Sequence, residues 1–163
     1  MSNLPVYQYN REFEAPLAKI WKAWTDPTLL AVWYGPGVET IIHEFDPKAG
    51  GRWLNEMKWG EKSDFSRMDF IEVETAKRMV WNHSSTDKDW NIQPSQMMPD
   101  WPKTLLTTVS FSDKGDKTKV QLEQIPVDAT EAEIACFTKM MSNMDNGWGK
   151  GFDLLQTLIS EKT

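Results

Sequence analysis

Hydrophobic and polar residues alternate along several stretches of the chain, at the period of two that half-buried β-strands require. In the clearest stretch, Trp53 and Met57 share one parity while Arg52 and Lys58 take the other. The predicted strands cover residues 6–13, 39–46, 52–59, 64–75, 78–84, 105–111 and 118–124. Because most are separated by short turn-like segments, the pattern predicts a single antiparallel sheet of six or seven strands.

The alternation is imperfect in the fourth predicted strand. Met68 and Phe70 share one parity, whereas Ile71 and Val73 take the other. A β-bulge between the two pairs would place all four side chains on the same side of the sheet. The second strand shows no such break, and it is expected to point Ile41, His43 and Phe45 to one face.

Helical spacing replaces the alternation after the first strand. Pro16 opens a helix, because proline suits a first-turn position. The apolar side of this helix is formed by Leu17, Ile20, Trp21 and Trp24. Asp26 is expected to cap a second, shorter helix that has Pro27 at its first position and ends at Trp33, before a Gly-Pro-Gly turn.

The end of the chain carries a longer helical repeat. Thr130 and Glu133 form a capping box, in which each residue satisfies a free backbone N–H of the other. Apolar side chains then recur every three or four residues at Ile134, Phe137, Met141, Met144, Trp148, Phe152, Leu155 and Ile159. Three glycines at 147, 149 and 151 weaken the middle of this segment by roughly 1 kcal/mol each. One capping box nevertheless predicts one helix of about 30 residues.

Two sequence blocks carry a family resemblance. The first extends from Ala23 to Pro36, and the second is DPKAGGRW at 46–53, whose Gly-Gly pair predicts a tight hairpin turn. Together with Gly147-Trp148, they resemble the single-domain relatives of the activator of the heat-shock-protein-90 ATPase, within the START/Bet v 1-like superfamily. The resemblance extends from about residue 11 to residue 159. It implies an α+β helix-grip fold, in which a curved antiparallel sheet wraps around a long C-terminal helix and two short helices follow strand 1.

Length, charge and cysteine content narrow the class of protein. The 163 residues predict one domain spanning 1–163. The net charge of −6 would repel the phosphates of a nucleic acid, so no such partner is expected. The single Cys136 excludes an intramolecular disulfide. Because neither a signal-like leader nor an apolar run of about 18 residues is present, a cytoplasmic protein without membrane insertion is expected.

The richness in large apolar side chains has two interpretations. Nine Trp, seven Phe and nine Met residues exceed what a core of this size requires. Methionine adapts to irregular shapes and tryptophan offers a broad face with one polar group, which suits a malleable pocket. The alternative is a solid, tryptophan-rich core without any pocket.

The segment 84–103 is longer than the short turn that often joins strands five and six in the resembling proteins. Loops of this length in compact domains often cover binding sites. We therefore consider it a candidate lid, with Trp90, Met97, Met98 and Trp101 as its anchoring side chains. The alternative is a surface excursion that is held down by these same side chains.

Polar residues at inward strand positions mark a candidate site. Asn55, His83 and Gln124 lie among apolar neighbours of the same parity, and polar groups facing an interior need hydrogen-bond partners that a ligand can supply. Each could equally bond to neighbouring side chains or solvent. The predicted ligand-binding residues are Trp33, Trp53, Asn55, Met57, Met68, Phe70, Trp81, His83, Val109, Phe111, Gln124, Trp148 and Phe152. No metal or cofactor is expected, because no Cys or His residues have metal-ligand spacing.

Three functions remain open at this stage. The first is the binding of a small apolar or aromatic molecule between the sheet and the C-terminal helix. The second is an enzyme of polyketide cyclase or dehydratase type, for which His83 and Asn55 would be the acid–base candidates. The third, implied by the resemblance alone, is a stress-related co-chaperone that stimulates a chaperone ATPase. No complete catalytic constellation is recognisable, so binding is the leading hypothesis.

Overall fold

The computed structural model describes residues 4–96 and 98–160. Its elements are β1 (Tyr7–Phe13), α1 (Leu17–Thr25), α2 (Pro27–Trp33), β2 (Glu39–Phe45), β3 (Arg52–Trp59), β4 (Lys62–Glu74), β5 (Arg78–Thr86), β6 (Thr104–Asp113), β7 (Thr118–Pro126) and α3 (Glu131–Ser160). The strands form one seven-stranded sheet in the order β1-β7-β6-β5-β4-β3-β2, with every neighbouring pair antiparallel. The predicted α+β helix-grip architecture is confirmed.

Both short helices begin as the sequence predicts. Pro16 precedes α1, and the Asp26 carboxylate accepts a hydrogen bond from the backbone N–H of Thr28 at 2.9 Å, which caps α2. The indole Nε1 of Trp33 donates to the carbonyl of Ala23 at 3.0 Å and ties α2 back onto α1. This bond and the edge-on contact of the Trp24 and Trp33 rings hold the two helices as one unit.

The long helix α3 runs unbroken for 30 residues. The capping box is confirmed, because the backbone N–H of Thr130 donates to the Glu133 carboxylate and the N–H of Glu133 donates to the Thr130 hydroxyl. The buried large apolar residues of α3 are Phe137, Phe152, Leu155 and Ile159. Through them the helix packs against the concave face of the sheet.

Two register shifts set which side chains face the helix. The expected bulge in β4 is confirmed between Phe70 and Glu72, and Val73 packs against the core. The expectation that Ile71 shares this face is wrong, because Ile71 is the bulged residue and is 50% exposed. A second shift between Ile42 and Glu44 was not expected. It splits the predicted face of β2, because Ile42 and Phe45 pack against the core whereas His43 is exposed.

The Gly-Gly pair serves a longer turn than a two-residue hairpin. Residues 46–51 connect β2 to β3, and the turn closes through a bond from the Asp46 N–H to the Arg52 carbonyl at 2.9 Å. Gly50 has a φ of 85°, which glycine adopts without strain. At Gly51, a Cβ atom would overlap the carbonyl oxygen of Asp46. Both glycines are therefore required, for two different reasons.

The concave face of the sheet is divided into two regions. One region is aromatic and includes Trp53, Phe70, Trp81 and Phe111. The other lies further along the same strands and is polar; its members are Asn55, Asp64, Ser66, His83, Ser85, Thr107 and Gln124. Because side chains paired across strands share a face, this polar region also points toward the helix side of the sheet.

Candidate functional site

A cavity of about 390 Å³ lies between the polar region of the sheet and α3. Its apolar lining consists of Trp33, Pro36, Val38, Met57, Trp101, Met144 and Trp148. The remaining lining consists of Tyr34, Gly35, His83, Gln124, Gly147 and Gly151. A concave, mostly apolar space with a few placed polar groups, in this size range, is typical of small-molecule sites.

The aromatic wall is held by ring contacts. Trp148 lies edge-on to Tyr34 with ring centroids 6.0 Å apart, and edge-on to Phe152 at 5.9 Å. On the loop side, the Trp101 ring lies 5.5 Å from that of Phe137. These contacts anchor the inner edges of Trp148 and Trp101 while both indoles remain only partly buried. Their free faces are available to an apolar ligand.

Glycine residues of α3 shape the helix side of the cavity in different ways. A Cβ atom at Gly147 would meet no atom within 4 Å, so this position leaves space at the cavity wall. A Cβ atom at Gly151 would lie 3.4 Å from the Trp33 carbonyl oxygen, and one at Gly149 would lie 3.1 Å from the Tyr9 hydroxyl. Gly149 and Gly151 thus permit close packing, whereas Gly147 borders open space.

His83 is the polar group with an unmet hydrogen-bonding need at the cavity. Its Nδ1 atom is buried and has no partner among the described residues. Burial lowers the pKa of the imidazole to about 4, because the charged form loses its hydration. The ring is therefore neutral at pH 7, with one nitrogen a hydrogen-bond donor and the other an acceptor.

Gln124 supplies a second polar group, and it is already partly engaged. Its amide Nε2 donates to the hydroxyl of Thr107 at 3.1 Å, and the side chain is 3% exposed. Tyr34 contributes a phenol whose pKa is raised, first by burial and then by the negative charge of Asp64. Because the phenol stays protonated, it can donate a hydrogen bond.

Asn55 does not join this group. It is 1% exposed, its Oδ1 accepts a bond from the indole of Trp53 at 3.2 Å, and it is absent from the cavity lining. Its Nδ2 is buried without a partner among the described residues. The structure therefore does not bring the two acid–base candidates, His83 and Asn55, together at the cavity surface.

Of the predicted ligand-binding residues, the structure brings together Trp33, Met57, His83, Gln124 and Trp148 along the cavity. Others lie in the packed core instead: Trp53, Met68, Phe70, Trp81, Val109, Phe111 and Phe152. The expectation that these residues surround open space needs correction. Their rings contact one another, with centroid distances of 6.0 Å for Trp53–Trp81 and 5.9 Å for Phe70–Trp81, and so fill the aromatic region.

The segment 84–103 covers two different surfaces. Trp101 lines the cavity and contacts α3, as expected of a lid residue. Trp90 instead lies on the convex face, where its ring is 5.3 Å from His43 and 5.5 Å from Phe65. Met98 is partly buried, and Met97 lies outside the described residues. Only one end of the segment therefore approaches the cavity.

Sequence reasoning missed several cavity residues. Gly35 and Pro36 belong to the predicted Gly-Pro-Gly turn, and Tyr34 and Val38 flank it; the sequence pattern marks none of the four as a lining residue. Met144 was assigned to the core side of α3. The glycine at 147 is itself a weak sequence signal of the open space, because a glycine inside a strongly periodic helix needs a packing or functional reason.

Within residues 4–96 and 98–160, no group of three or more His, Cys, Asp or Glu side chains could hold a metal ion. His43 lies outside the cavity, where its Nε2 is 2.8 Å from the Glu56 carboxylate. Cys136 is half-buried on α3. The same ranges contain no helix long and apolar enough to cross a membrane.

The fold and its cavity define a helix-grip protein, in which a curved sheet and a long terminal helix enclose a space. The chain belongs to the family described as activator of Hsp90 ATPase homolog 1-like protein, whose model matches residues 14–160. This confirms the resemblance found in the sequence. No curated protein matches the chain.

Solved structures share the fold at low sequence identity. A protein from Mycobacterium smegmatis is 18% identical, with a TM-score of 0.78, and the match covers 99% of this chain and 98% of that one. A protein from Arthrobacter aurescens is 16% identical, with a TM-score of 0.79, and coverage of 97% and 87%. DynU16, from the dynemicin biosynthetic locus, is 16% identical, with a TM-score of 0.66 and coverage of 96% and 47%. These likenesses establish the fold alone.

Proposed function

We propose that the protein binds a small apolar or aromatic molecule in the cavity between the sheet and α3. The observation that carries this proposal is the pairing of a largely apolar wall with the unpartnered Nδ1 of His83. A buried polar atom without a partner costs free energy, which a ligand hydrogen bond would recover. The ligand would place its apolar body against Trp148 and Trp101 and one polar group toward His83.

A substitution at Gly147 tests the proposal. Gly147 is an exposed residue of the cavity lining, and a Cβ atom there meets no atom within 4 Å, so leucine fits without a steric clash and would narrow the cavity entrance. With N-phenyl-1-naphthylamine as a neutral fluorescent probe, we expect the wild-type protein to bind and Gly147→Leu to bind at least about tenfold more weakly. The measurement is the rise in probe emission on titration, together with quenching of tryptophan emission.

The matched control is Asn146→Leu, which adds the same side chain at an exposed neighbouring position that does not line the cavity. It should bind the probe as the wild type does. Leucine has a higher helix propensity than the residue it replaces in either variant, so neither substitution should weaken α3. Thermal unfolding should therefore show that both variants are folded. Equal binding by both variants, or no binding by the wild type, would refute the proposal.

The enzymatic alternative receives less support from the geometry. With a pKa of about 4, the His83 imidazole is a weak base at pH 7, whereas efficient general bases have pKa values near the working pH. Asn55, its expected companion, lies behind the cavity surface. The co-chaperone alternative rests on the family description, and a chaperone ATPase assay would test it directly.

A further inference from the structure

A second cavity, of about 530 Å³, lies at one end of the sheet. It is bounded by the β3–β4 hairpin, by the end of β5 with the residues that follow it, and by the segment 94–96. Its volume suits a small organic molecule and far exceeds that of a bare ion. Met57, which lines the first cavity, is the cross-strand partner of Asp64, which lines the second. The two cavities therefore adjoin at this pair, although the second also reaches residues of the convex face, Phe65 and Thr86, at the end of the sheet.

Asp64 is the most buried charged group at this second cavity. No hydrogen bond or ion pair from another described residue reaches its carboxylate, and burial raises its pKa. Its charge nevertheless acts on its surroundings, because it contributes to the raised pKa of Tyr34. A half-buried carboxylate without a partner is costly for the free protein, and a cationic ligand would offset that cost.

The other charged groups of the lining are Lys62, Asp87 and Lys88. Asp87 is already engaged, since its carboxylate accepts hydrogen bonds from the backbone N–H groups of Asp89 and Asn91. The two lysines are exposed at the rim, where solvent and salt screen their charge. An anion that entered past them would meet the unscreened charge of Asp64, so the interior favours a cation.

The remaining walls favour an organic cation. Trp59 lines the cavity and lies on the same face of the sheet as Asp64, and aromatic rings attract ammonium groups. Ser85 lies on this face as well, and its hydroxyl group can accept a further hydrogen bond from such a group. Ser63 and Thr86 belong to the convex face, where they donate to Glu56 and to the Asp87 carbonyl. A divalent metal would need several oxygen ligands with negative charge, and the described residues contain no such cluster.

We propose that this second cavity is a binding site for a small organic ammonium ion, held by an ion pair with Asp64 and by contact with Trp59. The site is distinct from the cavity that is proposed to bind an apolar molecule. Neither site requires the other to be occupied.

The test compares three probes of similar size and different charge at neutral pH. These are phenethylamine, which is protonated, 2-phenylethanol, which is neutral, and 3-phenylpropanoate, which is an anion. We expect phenethylamine to bind most tightly and to shift the indole N–H resonance of Trp59 in a two-dimensional NMR titration. Asp64→Asn should weaken its binding about tenfold or more, since the charge-assisted contact is lost.

Asp116→Asn is the matched control, because it makes the same change at an exposed residue of the β6–β7 turn. It should leave the affinity for phenethylamine unchanged. Asp64→Asn should also unfold at the wild-type temperature or above it, because no described side chain or backbone group loses an ion-pair partner. A lower unfolding temperature would mean that the carboxylate stabilises the empty protein, and it would overturn the proposal.

Other outcomes would also contradict it. Equal binding of the three probes would show that charge does not determine binding. Tighter binding of 3-phenylpropanoate would show that the site binds anions through Lys62 and Lys88. If phenethylamine shifts the Trp148 resonance and leaves Trp59 unchanged, the amine enters the first cavity and the second site fails. Binding of N-phenyl-1-naphthylamine is measured separately and tests only the proposed function of the first cavity. Either proposal can therefore fail while the other holds.

Discussion

At the scale of single residues, His83 and Asp64 are the ionisable groups that line a cavity and carry a polar atom without a partner among the described residues. Both side chains lie on the face of the sheet that α3 covers. Burial lowers the pKa of His83 and raises that of Asp64, and each shift favours the neutral form of the group. Asn55 and Gln124, which share that region, find partners in Trp53 and Thr107. The Nδ2 of Asn55 and the indole nitrogens of Trp24 and Trp81 are also buried without a described partner, but these three residues lie away from both cavities.

The lowered pKa of His83 predicts an acid-dependent loss of stability. Between the ordinary value near 6.5 and the folded value of about 4, the unfolded chain binds a proton that the folded chain does not. The contribution of His83 to stability is therefore fully present above pH 6.5 and is lost as the pH falls toward 4. From pH 7 to pH 5, we expect the wild type to lose roughly 1–2 kcal/mol more than His83→Gln, measured by urea unfolding.

His43 and its contact with Glu56 are the same in both proteins, so they cancel in this comparison. Parallel pH profiles for wild type and variant would contradict a buried, neutral His83.

At the scale of elements, glycines decide where the chain can turn and approach itself. The turn at 46–51 depends on two glycines for separate reasons, one conformational and one steric. In α3, Gly149 and Gly151 allow close contact with the Tyr9 hydroxyl and the Trp33 carbonyl, whereas Gly147 borders the cavity. The same residue type thus has three roles, which only its surroundings distinguish.

Alanine substitutions should separate the two turn glycines. Gly51→Ala places a Cβ atom against the Asp46 carbonyl oxygen, so the turn must shift, and we expect a loss of about 2–4 kcal/mol. In Gly50→Ala the new Cβ atom meets no atom within 4 Å. The only cost is that of holding an alanine at a positive φ, about 1 kcal/mol. Urea unfolding of the two variants measures the difference. A larger loss for Gly50→Ala would show that backbone conformation, rather than crowding, limits this turn.

At the scale of the whole molecule, the segment between β5 and β6 joins the two faces of the sheet. Trp101 contacts Phe137 of α3 beside the cavity, whereas Trp90 packs on His43 and Phe65 of the convex face. The carbonyl of Trp90 also lies 3.4 Å from the guanidinium of Arg67. We infer that the Trp90 end anchors the segment and that the Trp101 end covers the cavity.

Paired substitutions test this division. Trp101→Ala should speed the release of N-phenyl-1-naphthylamine several-fold, because it removes part of the cavity wall. Trp90→Ala removes the same kind of side chain from the same segment and should leave release unchanged, although both variants lose some stability. Stopped-flow dissociation measures the rates. Equal acceleration in both would mean that the segment loosens as a whole, and unchanged release in Trp101→Ala would mean that it does not cover the cavity.

Much of the architecture follows from local sequence patterns. The capping box at Thr130, the Asp26-Pro27 helix start and the alternating strands all act over a few residues, so the sequence by itself determined the order of the elements. The bulge in β4 was also predictable, because it restores a broken alternation. The bulge at His43 was not, since the β2 sequence alternates without a break and only pairing with β3 reveals the shift.

The position of the cavity was decided by the tertiary structure alone. Strand parity determined that Trp53, Trp81 and Phe111 face inward, together with His83 and Gln124. It could not determine that the aromatic rings would fill one end of the sheet while the polar end stays open. That outcome depends on where α3 crosses the sheet and on the volumes that meet there, and packing between distant elements leaves no periodic signal in the chain.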